Sequence, residues 1–147
     1  MRLCYGLLVV FLVACGSDAT SSSGNSSPPP PGATVVNVSL TDNSGTAPYA
    51  FSPTPLTIKV GTTVKWTNNG NAPHTSTSDA TPQPTWDSGT LNPAGSTMCA
   101  DPYDPYCTPG NTPAGTYQFE FNTVGTYQYH CALHGAQGMT GTITVTP

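Results

Sequence analysis

An all-β sandwich is the fold this sequence specifies, on three grounds. Apolar and polar residues alternate in short runs, the period of strands with one buried face. Turn-forming clusters such as Asn68-Asn69-Gly70-Asn71 and Asn122-Thr123-Val124-Gly125 separate those runs. Only 7% of the 147 residues are charged, while there are 15 Gly and 16 Pro, with Thr, Ser and Asn abundant. These residues compete with the helical backbone or break it, and no helix of normal length is visible.

In chain order, the first element is a targeting segment. Arg2 gives it a positive start, and Leu3 to Ala14 is an apolar run too short to span a bilayer stably. It ends in Leu12-Val13-Ala14-Cys15-Gly16, which resembles the bacterial lipobox, where a signal peptidase cleaves before a lipidated Cys. Residues 1–14 are therefore expected to be a lipoprotein signal peptide and Cys15 the lipidated, membrane-anchoring residue of an exported protein. An ordinary secretory signal with an incidental Cys is the alternative. Residues 15–32 continue as a Ser/Gly tract closed by four prolines. That stretch has no apolar face to bury, so it is expected to be a tether, or a leader without purpose.

Residues 33–147 carry the strand pattern. Val36, Val38 and Leu40 share one face of the first run; Asp42 to Pro48 is turn chemistry. Leu56 to Val60 alternates, and Gly61-Thr62 turns the chain into a run with Val64 and Trp66 inward. Tyr117, Phe119 and Phe121 alternate next, then Tyr127, Tyr129 and Cys131, then Ile143 and Val145. Alternation points His130 outward, as a solvated surface residue rather than a redox or metal group.

The five cysteines divide by position. Cys4 leaves with the signal peptide, Cys15 takes lipid, and Cys131 lies in a cluster of metal-ligand types. Cys99 and Cys107 remain, and oxidising conditions outside the cytoplasm favour a disulfide between them. A metal or redox pair is the competing reading, though the spacing is not C-x-x-C. A formal net charge of −4 and the lack of a basic patch argue against a nucleic-acid partner.

Cys131, His134 and Met139 fall at spacing C-x2-H-x4-M between two strand runs. A thiolate, an imidazole and a weak thioether suit copper, and a trigonal His2Cys site with a distant Met is the blue-copper arrangement. The second imidazole has to come from outside the run Tyr127 to Met139, where His74 is the one histidine. Structural zinc is the rival, but it takes four strong ligands and Met is a poor one. A buried Met more often fills core.

The motifs Phe51-x-Pro-x-x-Leu56-Thr-Ile-Lys-Val-Gly61, Val64-x-Trp66-x-Asn68 and Ala72-Pro73-His74-Thr75 resemble the first ligand region of plastocyanin- and pseudoazurin-like cupredoxins. Ser88-Gly89-x-Leu91, Tyr117-x-Phe119-x-Phe121 and Gly125-Thr-Tyr-x-Tyr-x-Cys131-x-x-His134-x-x-x-x-Met139-x-Gly141 resemble their C-terminal half. The resemblance spans nearly all of 33–147. It implies a Greek-key β-sandwich of about seven to eight strands with one mononuclear type 1 copper held by His74, Cys131, His134 and Met139. It further implies that the Thr75 N–H donates to the Cys131 sulfur. Electrons then pass through a small apolar rim of Ala72, Pro73, Gly135 and Ala136. The implied function is one-electron transfer outside the cytoplasm to redox protein partners, by a monomer that is not an enzyme. Copper sequestration or delivery is the alternative. The segment from Pro93 to Pro113 is longer than the family's minimal form, and its two readings are a partner-selecting loop beside His134 and a passive insertion.

Overall fold

The computed structural model describes residues 32–42, 47–82, 84–96 and 112–147. Cys4, Cys15, the tether up to residue 31, Cys99 and Cys107 lie outside the described residues. Among those described, eight strands form two four-stranded sheets. They are β1 (Val35–Asp42), β2 (Tyr49–Ser52), β3 (Leu56–Lys59), β4 (Thr62–Asn68), β5 (Thr77–Ser78), β6 (Thr116–Phe121), β7 (Gly125–His130) and β8 (Thr140–Thr146). One sheet has the order β2-β1-β4-β6 and the other β3-β8-β7-β5. Both are mixed, with β1–β4 and β3–β8 parallel and the remaining pairs antiparallel. Successive strands such as β3 and β4, or β6 and β7, change sheet, which gives the expected Greek-key sandwich. The helical content of the described residues is one 3-10 turn, Gly135–Gln137.

Period-2 alternation puts alternate side chains between the sheets. Val38 and Leu40 of β1, Val64 and Trp66 of β4, Tyr127 and Tyr129 of β7, and Ile143 and Val145 of β8 are buried there. Trp66 stacks on Trp86 with ring centroids 5.6 Å apart, and Phe121 closes on both. Each such side chain contributes roughly 1.5–3 kcal/mol on leaving water. Tyr129 sits opposite Gly141 in the β7–β8 ladder. A Cβ at 141 would lie 2.3 Å from the Tyr129 ring, so only glycine fits under that aromatic. Burial pushes the Tyr129 phenol up to about 12, slightly opposed by the Trp66 indole N–H. That N–H approaches the hydroxyl without ordinary hydrogen-bond geometry, and among the described residues neither atom has another partner.

Two strands carry no signal in the sequence. β2 is four residues and β5 only two, too short for a period to show. β1 also runs on to Asp42 instead of stopping at Leu40. Its parallel pairing with β4, in the register Leu40↔Asn68, carries Asp42 alongside the turn that follows β4. Val60 is 42% exposed and belongs to the turn after β3.

Candidate metal centre

Asn68, the last residue of β4, organises the approach to His74. It is buried, and its Nδ2 donates to the carbonyls of Ala72 and Leu91, both at 2.8 Å. Its Oδ1 accepts from the N–H of Gly70 at 2.9 Å. The turn 69–72 is thereby folded against residue 91. His74 then pairs with Leu91 through both backbone groups, N–H to O at 3.1 Å and O to N–H at 2.7 Å. The buried ring is thus held from its backbone on both sides.

The other donors come from the loop between β7 and β8. The Cys131 carbonyl accepts from the N–H groups of His134 and Gly135, and the His134 carbonyl accepts from Gln137 and Met139. Cys131 N–H donates to the Met139 carbonyl at 3.1 Å, closing the loop at its base. Cys131 and Met139 are both buried, while His134 is half-buried. Thr75 joins the two regions. Its N–H lies 3.3 Å from Cys131 Sγ, and its hydroxyl accepts from Ala132 N–H at 2.8 Å.

These elements bring three of the four expected ligands into one cluster through named atoms. His74 Nδ1 and His134 Nδ1 are 3.1 Å apart, and Cys131 Sγ is 3.9 Å from the first and 3.6 Å from the second. A point equidistant from the corners of that triangle lies about 2.1 Å from each, the ordinary metal–nitrogen distance and slightly short for metal–sulfur. The geometry therefore fits a mononuclear ion in trigonal coordination. The group contains no fourth His, Cys, Asp or Glu among the described residues, which disfavours structural zinc. Burial, then the neighbouring His74, hold the His134 imidazole below its ordinary pKa against the opposing pull of Asp42.

Two residues that the sequence pattern did not single out complete the centre. Asp42 Oδ1 is 2.8 Å from His74 Nε2. Burial works to raise the Asp42 carboxyl, but hydrogen bonds from Asn71, His74 and Ala72 outweigh it and leave it below the usual value. Tyr49, directly opposite Asp42 in the β1–β2 ladder, stacks on His134 with centroids 3.8 Å apart and meets His74 edge-on at 5.5 Å. The signal for both lay in strand pairing, of β1 with β4 for Asp42 and of β2 with β1 for Tyr49, which no local pattern reveals. His130 takes no part in the cluster. Its Nδ1 pairs with Asp79 at 3.0 Å on the exposed side. Of the expected rim, Ala72 and Gly135 are half-buried, Pro73 and Ala136 exposed. Beyond Leu91, the ends of the 93–113 segment are tied together by Gly95 N–H to Thr112 O and Gly115 N–H to Asn92 O.

Comparison with known proteins agrees with this geometry. The profile of the copper binding proteins, plastocyanin/azurin family, matches residues 36–146. The chain belongs to that family. Plastocyanin of Scenedesmus fuscus is 37% identical over 110 residues, covering 75% of this chain and 98% of the relative. The chloroplastic plastocyanin of Tetradesmus obliquus is 35% identical over 113 residues, covering 77% and 68%. Among solved structures, a mutant plastocyanin of fern superposes with a TM-score of 0.53 at 23% identity, covering 76% of this chain and all of that one. That last likeness supports the fold alone. As a plastocyanin-like cupredoxin the chain binds one copper and carries electrons singly; it is not an enzyme.

Proposed function

We propose that His74 Nδ1, Cys131 Sγ and His134 Nδ1 hold the copper, with the Met139 thioether as a weak fourth ligand. The observation that carries this reading is the convergence of the three atoms, all within 4.8 Å of one another, on one buried point. Copper supplies the one-electron couple. The chain supplies a soft thiolate and two imidazoles, a compromise between the preferences of Cu(I) and Cu(II). Thr75 N–H donates to the thiolate and withdraws charge from it, which tunes the potential. Because both sheets and the closed loop already fix the donors, little has to move when the charge changes. His134 is the most accessible of the three clustered donors, so its edge is the electron's entry and exit, framed by Ala72, Pro73, Gly135 and Ala136.

The domain works outside the cytoplasm, attached to a membrane through lipid on Cys15 and a tether over residues 15–32, with residues 1–14 removed. The apolar run ending in Val13-Ala14-Cys15-Gly16 supports this. A Cys99–Cys107 disulfide pins the long connection that leaves and rejoins the sheet beside Leu91. The partners are redox proteins, and that connection helps to choose among them.

The test is the visible spectrum of the purified protein after one equivalent of Cu(II), with Cys131→Ser alongside. The expected result is an intense blue thiolate-to-copper band, bleached by ascorbate and absent from the variant. Colourless binding, or binding indifferent to Cys131, would overturn the reading.

A further inference from the structure

Asp42 is joined to the centre by more than one bond. Its Oδ1 lies 2.8 Å from His74 Nε2, while Oδ2 accepts from the N–H groups of Asn71 and Ala72, the latter at 3.0 Å. The donors that clamp the carboxylate therefore sit on the turn that leads into His74. Its place relative to the ring is fixed from both sides. Gly70 makes the room, since a Cβ there would lie 2.5 Å from Oδ1 and 2.8 Å from Cγ. The His74 side chain is fully buried and that of Asp42 only 12% exposed, so solvent screens this pair weakly. The ring nitrogen that does not face Asp42 is the one that faces Cys131 and His134.

We propose that Asp42 is a positioning residue for His74 and that its charge sets the relative preference of the centre for Cu(II) over Cu(I). The inference rests on the reading in which His74 is a copper ligand. By accepting the Nε2–H, the carboxylate keeps that proton in place, leaves the Nδ1 lone pair free for metal and fixes the ring plane. It also makes the imidazole a stronger donor. Reduction adds one electron to the centre with no bond made or broken and no proton moved, so a clamped negative charge beside a ligand opposes that addition. A neutral acceptor in the same place would satisfy the N–H without opposing the electron.

The experiment compares the midpoint potentials of copper-loaded wild type, Asp42→Asn and Asp79→Asn at an electrode. Asp42→Asn keeps an oxygen for the Nε2–H and removes the charge. We expect the ratio of Cu(II) to Cu(I) affinity to fall about tenfold, a rise of about 59 mV for a one-electron couple. Asp79→Asn removes a carboxylate from the other carboxylate–histidine pair, where both side chains are well exposed, and should move the ratio far less. A ratio for Asp42→Asn within about 1.5-fold of wild type, about 10 mV, overturns the proposal, as does an equal shift in both variants. A wild type without the blue band overturns the copper reading and this inference together; a blue wild type with an unmoved Asp42→Asn overturns the inference alone. Should Asp42→Asn not fold, nitrogen–proton correlation spectra of wild type in its diamagnetic Cu(I) form decide. A slowly exchanging His74 Nε2–H with metal on Nδ1 supports the proposal. Metal on Nε2, or a proton exchanging as fast as on an exposed imidazole, overturns it.

Discussion

Replacing Asn68 by Ala should cost stability and loosen the copper site in the same experiment. The side chain makes three hydrogen bonds, to Ala72 O, Leu91 O and Gly70 N–H, and is 1% exposed. At about 1 kcal/mol net for each bond the loss is about 3 kcal/mol, and more if water does not reach the abandoned Ala72 carbonyl. For a domain of this size that lowers the midpoint of thermal unfolding by on the order of 10 °C. Asn68→Asp should be worse than Asn68→Ala, because a carboxylate oxygen would replace the amide NH2 and face two carbonyl oxygens. Urea unfolding of the metal-free proteins gives the free energies. Copper release to a chelator gives the effect on the site, which should quicken because the turn ahead of His74 is no longer folded against residue 91. A loss under about 1 kcal/mol, or Asp tolerated better than Ala, would show that Asn68 does not hold the turn.

Gly141→Ala should destabilise by about 1–3 kcal/mol, since the added methyl meets the buried Tyr129 ring; Tyr129→Leu in the same chain should recover part of that loss in urea unfolding. Tyr129 itself predicts an alkaline limit. Its folded pKa is raised, so its contribution is complete below the unfolded value near 10 and disappears as pH climbs through about 12, roughly 3 kcal/mol in all. Unfolding free energies of wild type and Tyr129→Phe should run parallel up to pH 10 and then converge or cross, with the variant the flatter curve. Tyr49→Ala should remove the ring stacked on His134, worth about 1 kcal/mol, and speed copper loss to a chelator about fivefold.

Alternation alone located the core of β1, β4, β7 and β8, because each of these strands buries one face against the opposite sheet and polar residues fill the other. It was silent on β2 and β5, where the pairing partner rather than the local sequence makes the strand. The centre divides in the same way. Cys131, His134 and Met139 sit in one nine-residue loop, and their donor chemistry is visible in one dimension. His74 could be found because histidine is scarce in this chain. Asp42 could not. An acid in a Thr-Asp-Asn-Ser-Gly stretch reads as a turn former, and only the parallel β1–β4 register turns it toward His74. Tyr49 was hidden likewise, since a lone Tyr after Pro48 has no period to declare which face it takes.

The arrangement of ligands explains why a carrier of this kind needs the whole sandwich. His74 follows β4 in one sheet, and the loop from Cys131 to Met139 joins β7 to β8 in the other. A metal bound between them therefore bridges the two layers, and any slide of one sheet against the other would open the 3.6 and 3.9 Å sulfur–nitrogen separations. Thr75 opposes that slide at the site, with one group on the Cys131 sulfur and another on the Ala132 N–H. Trp66, Trp86 and Tyr129 oppose it from below, since their packed rings span both sheets. Interiors packed this densely do not deform gradually. Such packing would hold the donors to one geometry through oxidation and reduction, which is the condition for passing single electrons quickly.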